Sequence, residues 1–288
     1  LCRRLTQHVS YLGEKIGERN IWKPDALQAA ADYVRKQWAH QGYVVHEQAY
    51  DVAGLRCANL EVATSSDYTA RTIIVGAHYD SVRGSPGAND NGTGIAALLE
   101  LSRLFAETPG HSLRFAAFVN EEAPFFGTDL QGSELYARRA RREGWNIELM
   151  IALETLGYYS TEPGSQTYPP LLRRFYPDRG DFVAMVSNLR SRSKLRRFVE
   201  AFRESTDFPV EHLASPSFVP GVDWSDHRAF WRHAYSAIMV TDTAPYRYPY
   251  YHTALDTVEH VSCAKLADVT LGLAGAIDRM RQQTLSGA

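Results

Sequence analysis

Five short segments carry side chains that bind divalent metal ions. They are His78-Tyr79-Asp80, Asn89-Asp90-Asn91, Glu121-Glu122, Glu154 within Leu153-Glu154-Thr155, and Tyr251-His252-Thr253. A neutral imidazole or a carboxylate oxygen ligates zinc at about 2.0–2.1 Å. Two histidines and several carboxylates suit two ions that share one bridging carboxylate. A water held between such ions becomes hydroxide near neutral pH, and a leftover acid moves protons. The chemistry implied is metal-assisted hydrolysis. Taken singly, each segment has a plainer reading: a hydrogen-bonded loop histidine, a solvated acid pair, or an aspartate in a turn. The joint pattern carries the argument.

The elements around these residues explain why they would meet. Residues 5–18 and 24–41 read as helices, the second opening on Pro24 and stopping at Gly42. Residues 43–50 and 58–63 read as strands. The β-branched run 72–77 predicts a buried strand with His78 at its carboxyl end. A Gly/Ser/Pro/Asn loop covers 84–94, and helical spacing follows over 93–106. Residues 113–119 predict a second buried strand, ending just before Glu121-Glu122. A helix over 129–143 leads to a third strand, 149–153, ending at Glu154. Further strands are expected at 181–187 and 236–241 around a helix at 193–206, with a last helix over 262–284. Residues 158–180, rich in Tyr, Pro and Gly, predict an ordered excursion near the site. This alternation implies an α/β fold: a mostly parallel, twisted central sheet with helices on both faces, as a single domain over 1–288. Such sheets bind ligands outside the carboxyl ends of their strands, where His78, Glu121, Glu122 and Glu154 fall.

Composition narrows the partners. The 288 residues are 44% hydrophobic and 22% charged, with a formal net charge of −2, which gives no reason to expect nucleic acid or an anionic membrane. The basic clusters 138–142 and 190–197 read as solvated helix faces. No apolar run approaches the ~20 residues that span a bilayer. The chain begins at Leu1, so removal of an upstream signal peptide, anchor or other segment is expected; export and a cytoplasmic site both stay open. Cys2, Cys57 and Cys263 show no zinc or disulfide-framework spacing and are read as free thiols, with one bridge and one free thiol as the alternative. His8, His40, His46, His111, His212, His233 and His260 are read as structural or exposed. His227 is read as bracing a loop behind the site, with substrate contact as the alternative.

The stretch Gly76-Ala77-His78-Tyr79-Asp80-Ser81, followed by Gly87-Ala88-Asn89-Asp90-Asn91-Gly92, resembles the signature of the dizinc aminopeptidases. These form metallopeptidase family 28, whose relatives include glutamate carboxypeptidase and the glutaminyl cyclases. The order His, Asp, Glu-Glu, acid, His matches, as do Ser225-Asp226-His227, Thr241-Asp242-Thr243 and Tyr251-His252-Thr253. The resemblance covers roughly residues 70–260. It implies two zinc ions in a zinc-exopeptidase fold of the phosphorylase/hydrolase-like type. Asp90 would bridge, His78 and Glu154 would complete one metal, and Glu122 and His252 the other. Glu121 would be the general base and acid, Asp80 would orient His78 by accepting its other ring N–H, and Tyr251 could donate to the oxyanion. A cis peptide at Asp90-Asn91 is also implied. The substrate would be a peptide, cleaved at its amino end. Alternatives are a glutaminyl cyclase-like aminoacyltransferase, a carboxypeptidase, or a noncatalytic scaffold. Two positions depart from the pattern. Glu154 is an aspartate in many of the aminopeptidases, and in the wider clan glutamate there often accompanies carboxypeptidase activity. Phe125 and Phe126 stand where many relatives have a glycine-rich turn; they would wall a specificity pocket or pack beneath the loop. Asp226 and Glu154 are the acids that could hold a substrate α-amine.

Overall fold

The computed structural model describes residues 1–107, 112–169 and 172–286; His111 lies outside them. Eight strands form one sheet: β1 (His46–Val52), β2 (Leu55–Ala63), β3 (Thr72–His78), β4 (Ser112–Phe118), β5 (Ile147–Glu154), β6 (Val183–Ser187), β7 (Val210–Ala214) and β8 (Ala237–Thr241). Their order across the sheet is β1-β2-β4-β3-β5-β8-β6-β7. The central run β4-β3-β5-β8 is parallel, as is β6-β7. The β1-β2, β2-β4 and β6-β8 pairs are antiparallel. The fold is thus an α/β domain with a mixed, mostly parallel sheet.

Helices cover both faces because the central strands are apolar on both. Along β3, Ile73, Val75 and Ala77 enter the larger core, while Ile74 enters a second core on the opposite face. The larger core takes α1 (Cys2–Ser10), α2 (Pro24–His40), α3 (Gly92–Phe105), α5 (Arg192–Arg203) and α8 (Cys263–Ser286). The second takes α4 (Gly132–Arg142) and α6 (His227–Arg232). A short α7 (Ala244–Arg247) follows β8. Gly76 is needed where β3 passes β4, since a Cβ there would lie 2.4 Å from the Phe118 ring.

Three expectations shift. The first two strands form a hairpin whose turn, Ala53-Gly54, has both residues at positive φ, and its strands run closer to that turn than 43–50 and 58–63. The strand β7 and helix α6 were not expected at all. Cys2, Cys57 and Cys263 are free thiols. Among the described residues no helix is long and apolar enough to cross a membrane.

Candidate metal centre

The carboxyl ends of the parallel strands converge on one cluster, buried except at His252. His78 is the last residue of β3 and Glu154 the last of β5. Glu121 and Glu122 follow β4, turned by Asn120 at φ 59°. Asp90 lies just ahead of α3, and its peptide to Asn91 is cis. His252 sits in the loop after α7. His78 Nε2 lies 3.4 Å from Asp90 Oδ1 and 3.3 Å from Glu154 Oε2. His252 Nε2 lies 3.1 Å from Asp90 Oδ2 and 3.4 Å from Glu122 Oε2. Two donor sets therefore share Asp90, one oxygen each.

These donors fit metal ions better than they fit each other. Ligands at about 2.0–2.1 Å around a tetrahedral ion are separated by roughly 3.3 Å, close to the spacings seen. His78 Nε2, both Asp90 carboxylate oxygens and Glu122 Oε1 are buried without a hydrogen-bond partner, a costly state unless a cation completes them. No lysine or arginine among the described residues pairs with Asp90, Glu121, Glu122 or Glu154. Burial pushes the Glu122 carboxyl well above its usual range, and the charges of Asp90 and Glu121 add to it. Burial also raises Glu121, with Glu154, Asp226 and Asp80 adding and His78 opposing. Burial alone would disfavour a charged His78, yet Glu154 and Glu121 push its ring well above the ordinary value. Cations at the two shared positions would relieve this crowding of negative charge.

The remaining expected residues divide. Glu121 Oε2 approaches His78 Nε2 to 3.8 Å, at the edge of the donor set. Tyr251 stacks on the His252 ring at 3.8 Å; burial, with Asp90, Glu154, Glu122 and Glu121 around it, keeps its phenol protonated. Asp80 acts differently from expectation. The ring nitrogen His78 Nδ1 lies 3.1 Å from the backbone carbonyl of Asp80 but 3.7 Å from its carboxylate. That carboxylate instead accepts the backbone N–H groups of Glu121 and Glu122, at 3.2 Å each, and so sets the acid pair. Asp226 is buried, and desolvation raises its carboxyl to about 7. His227 Nε2 meets the Val222 carbonyl at 2.8 Å, its ring packs edge-on against Trp231, and burial lowers it to about 4. It braces the loop. Phe125 packs on the larger core and Phe126 lies under Arg228.

Beside Glu154 and Tyr251 opens an apolar cavity of about 800 Å³, its mouth included. Its walls come from β6, β7, β8, the stretches 166–169, 172–176 and 220–224, and the start of α7. Phe125, Phe126, Asp226 and His227 are not among its lining residues. His212, read as structural or exposed, does line it.

Several supports of the site have no role that the sequence assigns. Arg19 is fully buried and donates to the carbonyls of Tyr79 (2.7 Å), Pro86 (2.6 Å) and Gly87 (2.8 Å), clamping the loop between His78 and Asp90. Asp256 accepts the N–H groups of Asn89 and Asp90. Asn91 caps α3 by accepting from Gly94 N and donates to the Leu153 carbonyl. Ser225 donates to Glu154 Oε2 at 2.7 Å, which steadies the longer glutamate.

An α/β sheet that gathers two metal-donor sets around one shared aspartate at its strand ends is the make-up of a two-metal hydrolase. Residues 59–277 match the profile of peptidase family M28, and the chain belongs to that family. It is 38% identical over 280 residues to "Uncharacterized protein YfbL" of Escherichia coli K12, covering 94% of this chain and 85% of that one. It is 28% identical over 200 residues to aminopeptidase YwaD of Bacillus subtilis, covering 67% of this chain and 38% of YwaD. Among solved structures it is similar to BSAP, a zinc aminopeptidase from Bacillus subtilis, with a TM-score of 0.76 at 15% identity, over 97% of this chain and 95% of that one. It is also similar to the glutaminyl cyclase of Bacteroides thetaiotaomicron, with a TM-score of 0.73 at 18% identity, over 96% and 97%. At such identities the structural likeness concerns the fold alone.

Proposed function

We propose that the protein is a zinc-dependent aminopeptidase releasing the first residue of peptides. The observation that supports this most is the pair of donor sets sharing Asp90, with Glu121 beside them and not needed by either. The printed names of relatives such as YwaD agree with the reading. His78, Asp90 and Glu154 would hold one zinc, and Asp90, Glu122 and His252 the other. When bound, the ions would supply Lewis acidity, making a water nucleophilic near neutral pH and polarising the scissile carbonyl.

The rest falls to the chain. Glu121 takes the attacking water's proton on a carboxylate oxygen and later gives it to the leaving amine. The protonated Tyr251 phenol donates to the carbonyl oxygen as that atom gains charge. The cavity beside Glu154 receives the first side chain. Buried acids, Glu154 and Asp226 among them, favour an α-ammonium at the site.

A substrate panel tests the reading: aminoacyl peptides with free amines, the same peptides amino-acetylated, and peptides beginning with Gln, all with zinc-loaded protein. Release of first residues from free-amine peptides alone is expected. Cleavage at the carboxyl end of blocked peptides, or cyclisation of amino-terminal Gln without hydrolysis, would overturn it.

A further inference from the structure

The cavity is apolar, yet one acid reaches it from the strand farthest from the metal donors. The register places four residues in one row across adjacent strands: Glu154 pairs with Thr241, Thr241 with Ala184, and Ala184 with Glu211. Residues in register share a sheet face, so Glu211 stands on the same face as Glu154. Three strand spacings of about 4.8 Å put their backbones roughly 14 Å apart. Val186, Met239 and Leu213 continue that face as an apolar floor. At the far end Tyr168 and Tyr176 stack on each other, and both join Glu211 in lining the cavity. Both phenols are engaged elsewhere, Tyr168 with the Pro177 carbonyl and Tyr176 with the His212 carbonyl. Among the described residues the Glu211 carboxylate has no hydrogen-bond or close ion-pair partner. Burial raises its carboxyl, offset only in part by Arg203.

We propose that Glu211 is a specificity residue, selecting first residues whose long side chain ends in a cation, lysine and arginine. The inference rests on the aminopeptidase reading. A residue whose α-carbon lies beside Glu154 needs the longest natural side chains to cross the row. Its methylenes cover the apolar floor, as long basic side chains do elsewhere. Its cation meets the carboxylate beside the Tyr168–Tyr176 pair, whose aromatic rings themselves favour a cation. A leucine falls short. An aromatic ring would strip water from an ionised Glu211 without giving it a partner.

The test uses the zinc-loaded protein and aminoacyl amides of Arg, Lys, Leu, Phe and Glu. The wild type should cleave Arg and Lys amides with the highest kcat/KM and the Glu amide with the lowest. Glu211→Gln should lower the Arg-to-Leu ratio of kcat/KM about tenfold or more, and Glu211→Lys should lower it further. An Arg-to-Leu ratio unchanged in both variants would overturn the proposal. Calorimetric binding of free L-arginine and L-norleucine separates this from failure of the aminopeptidase reading. If no amide is cleaved, arginine should still bind more tightly than norleucine, by a margin that Glu211→Gln removes. Equal binding in wild type and variant would overturn the proposal on its own.

Discussion

Glu121 and Glu122 are neighbours in sequence but face different tasks, and Asp80 fixes the backbone N–H groups of both. Glu122 joins the His252 donor set, and Glu121 stays at the edge of the His78 set. Replacing Glu121 with Gln should lower kcat by about 10²–10⁴-fold while leaving two zinc ions per chain by metal analysis; retained activity would exclude it as proton carrier. Tyr251→Phe should lower kcat by about 10²-fold with little change in KM, the pattern of an interaction made in the transition state. The side chain of His227 gives a pH prediction. Its folded value is about 4 against an ordinary 6.5, so the unfolded chain binds the extra proton between those values. Stability is therefore fully present above pH 6.5 and falls as pH drops toward 4, by up to about 3 kcal/mol from this group. Urea unfolding of His227→Gln should show a shallower fall over that window. The candidate ligands were legible because their types are chemically narrow and they follow apolar strands. Arg19 and Asp256 were not, since each acts on a partner about 60 to 170 residues away and carries no local mark.

At the level of elements, the site depends on a loop stapled from the far end of the chain. Arg19 carries at least three charge-assisted hydrogen bonds to carbonyls around Asp90, each worth about 1.5–3 kcal/mol. Arg19→Met should cost several kcal/mol in urea unfolding and weaken zinc binding in a chelator competition. Asn91→Ala should cost about 1–2 kcal/mol through the lost α3 cap and the unpaired Leu153 carbonyl. The buried strands β3, β4 and β5 were readable from continuous apolar runs. The β1-β2 hairpin was placed loosely because Ala53-Gly54 is a weak turn signal beside Asn-Gly or Asp-Gly. Strand β7, Val-Glu-His-Leu-Ala, is short and polar at the sheet edge, where pairing with β6 rather than pattern makes it a strand. That edge also builds a wall of the cavity, so this wall carries no mark in the sequence.

For the whole molecule, the sheet gathers at least six carboxylates at one end: Asp80, Asp90, Glu121, Glu122, Glu154 and Asp226, all buried. With no lysine or arginine among the described residues paired to Asp90, Glu121, Glu122 or Glu154, bound cations are coupled to folding. Chelation should lower Tm by about 5–10 °C, as loss of a tightly bound ligand does in a chain of this size, and zinc should restore it. The most direct test of the account titrates zinc into metal-free protein while following hydrolysis of an aminoacyl amide. Activity should be absent at the start and reach its plateau near two ions per chain, with the amino-acetylated amide uncleaved throughout. Full activity in the metal-free protein, or a plateau at one ion that a second does not raise, would contradict a paired-metal centre built around Asp90.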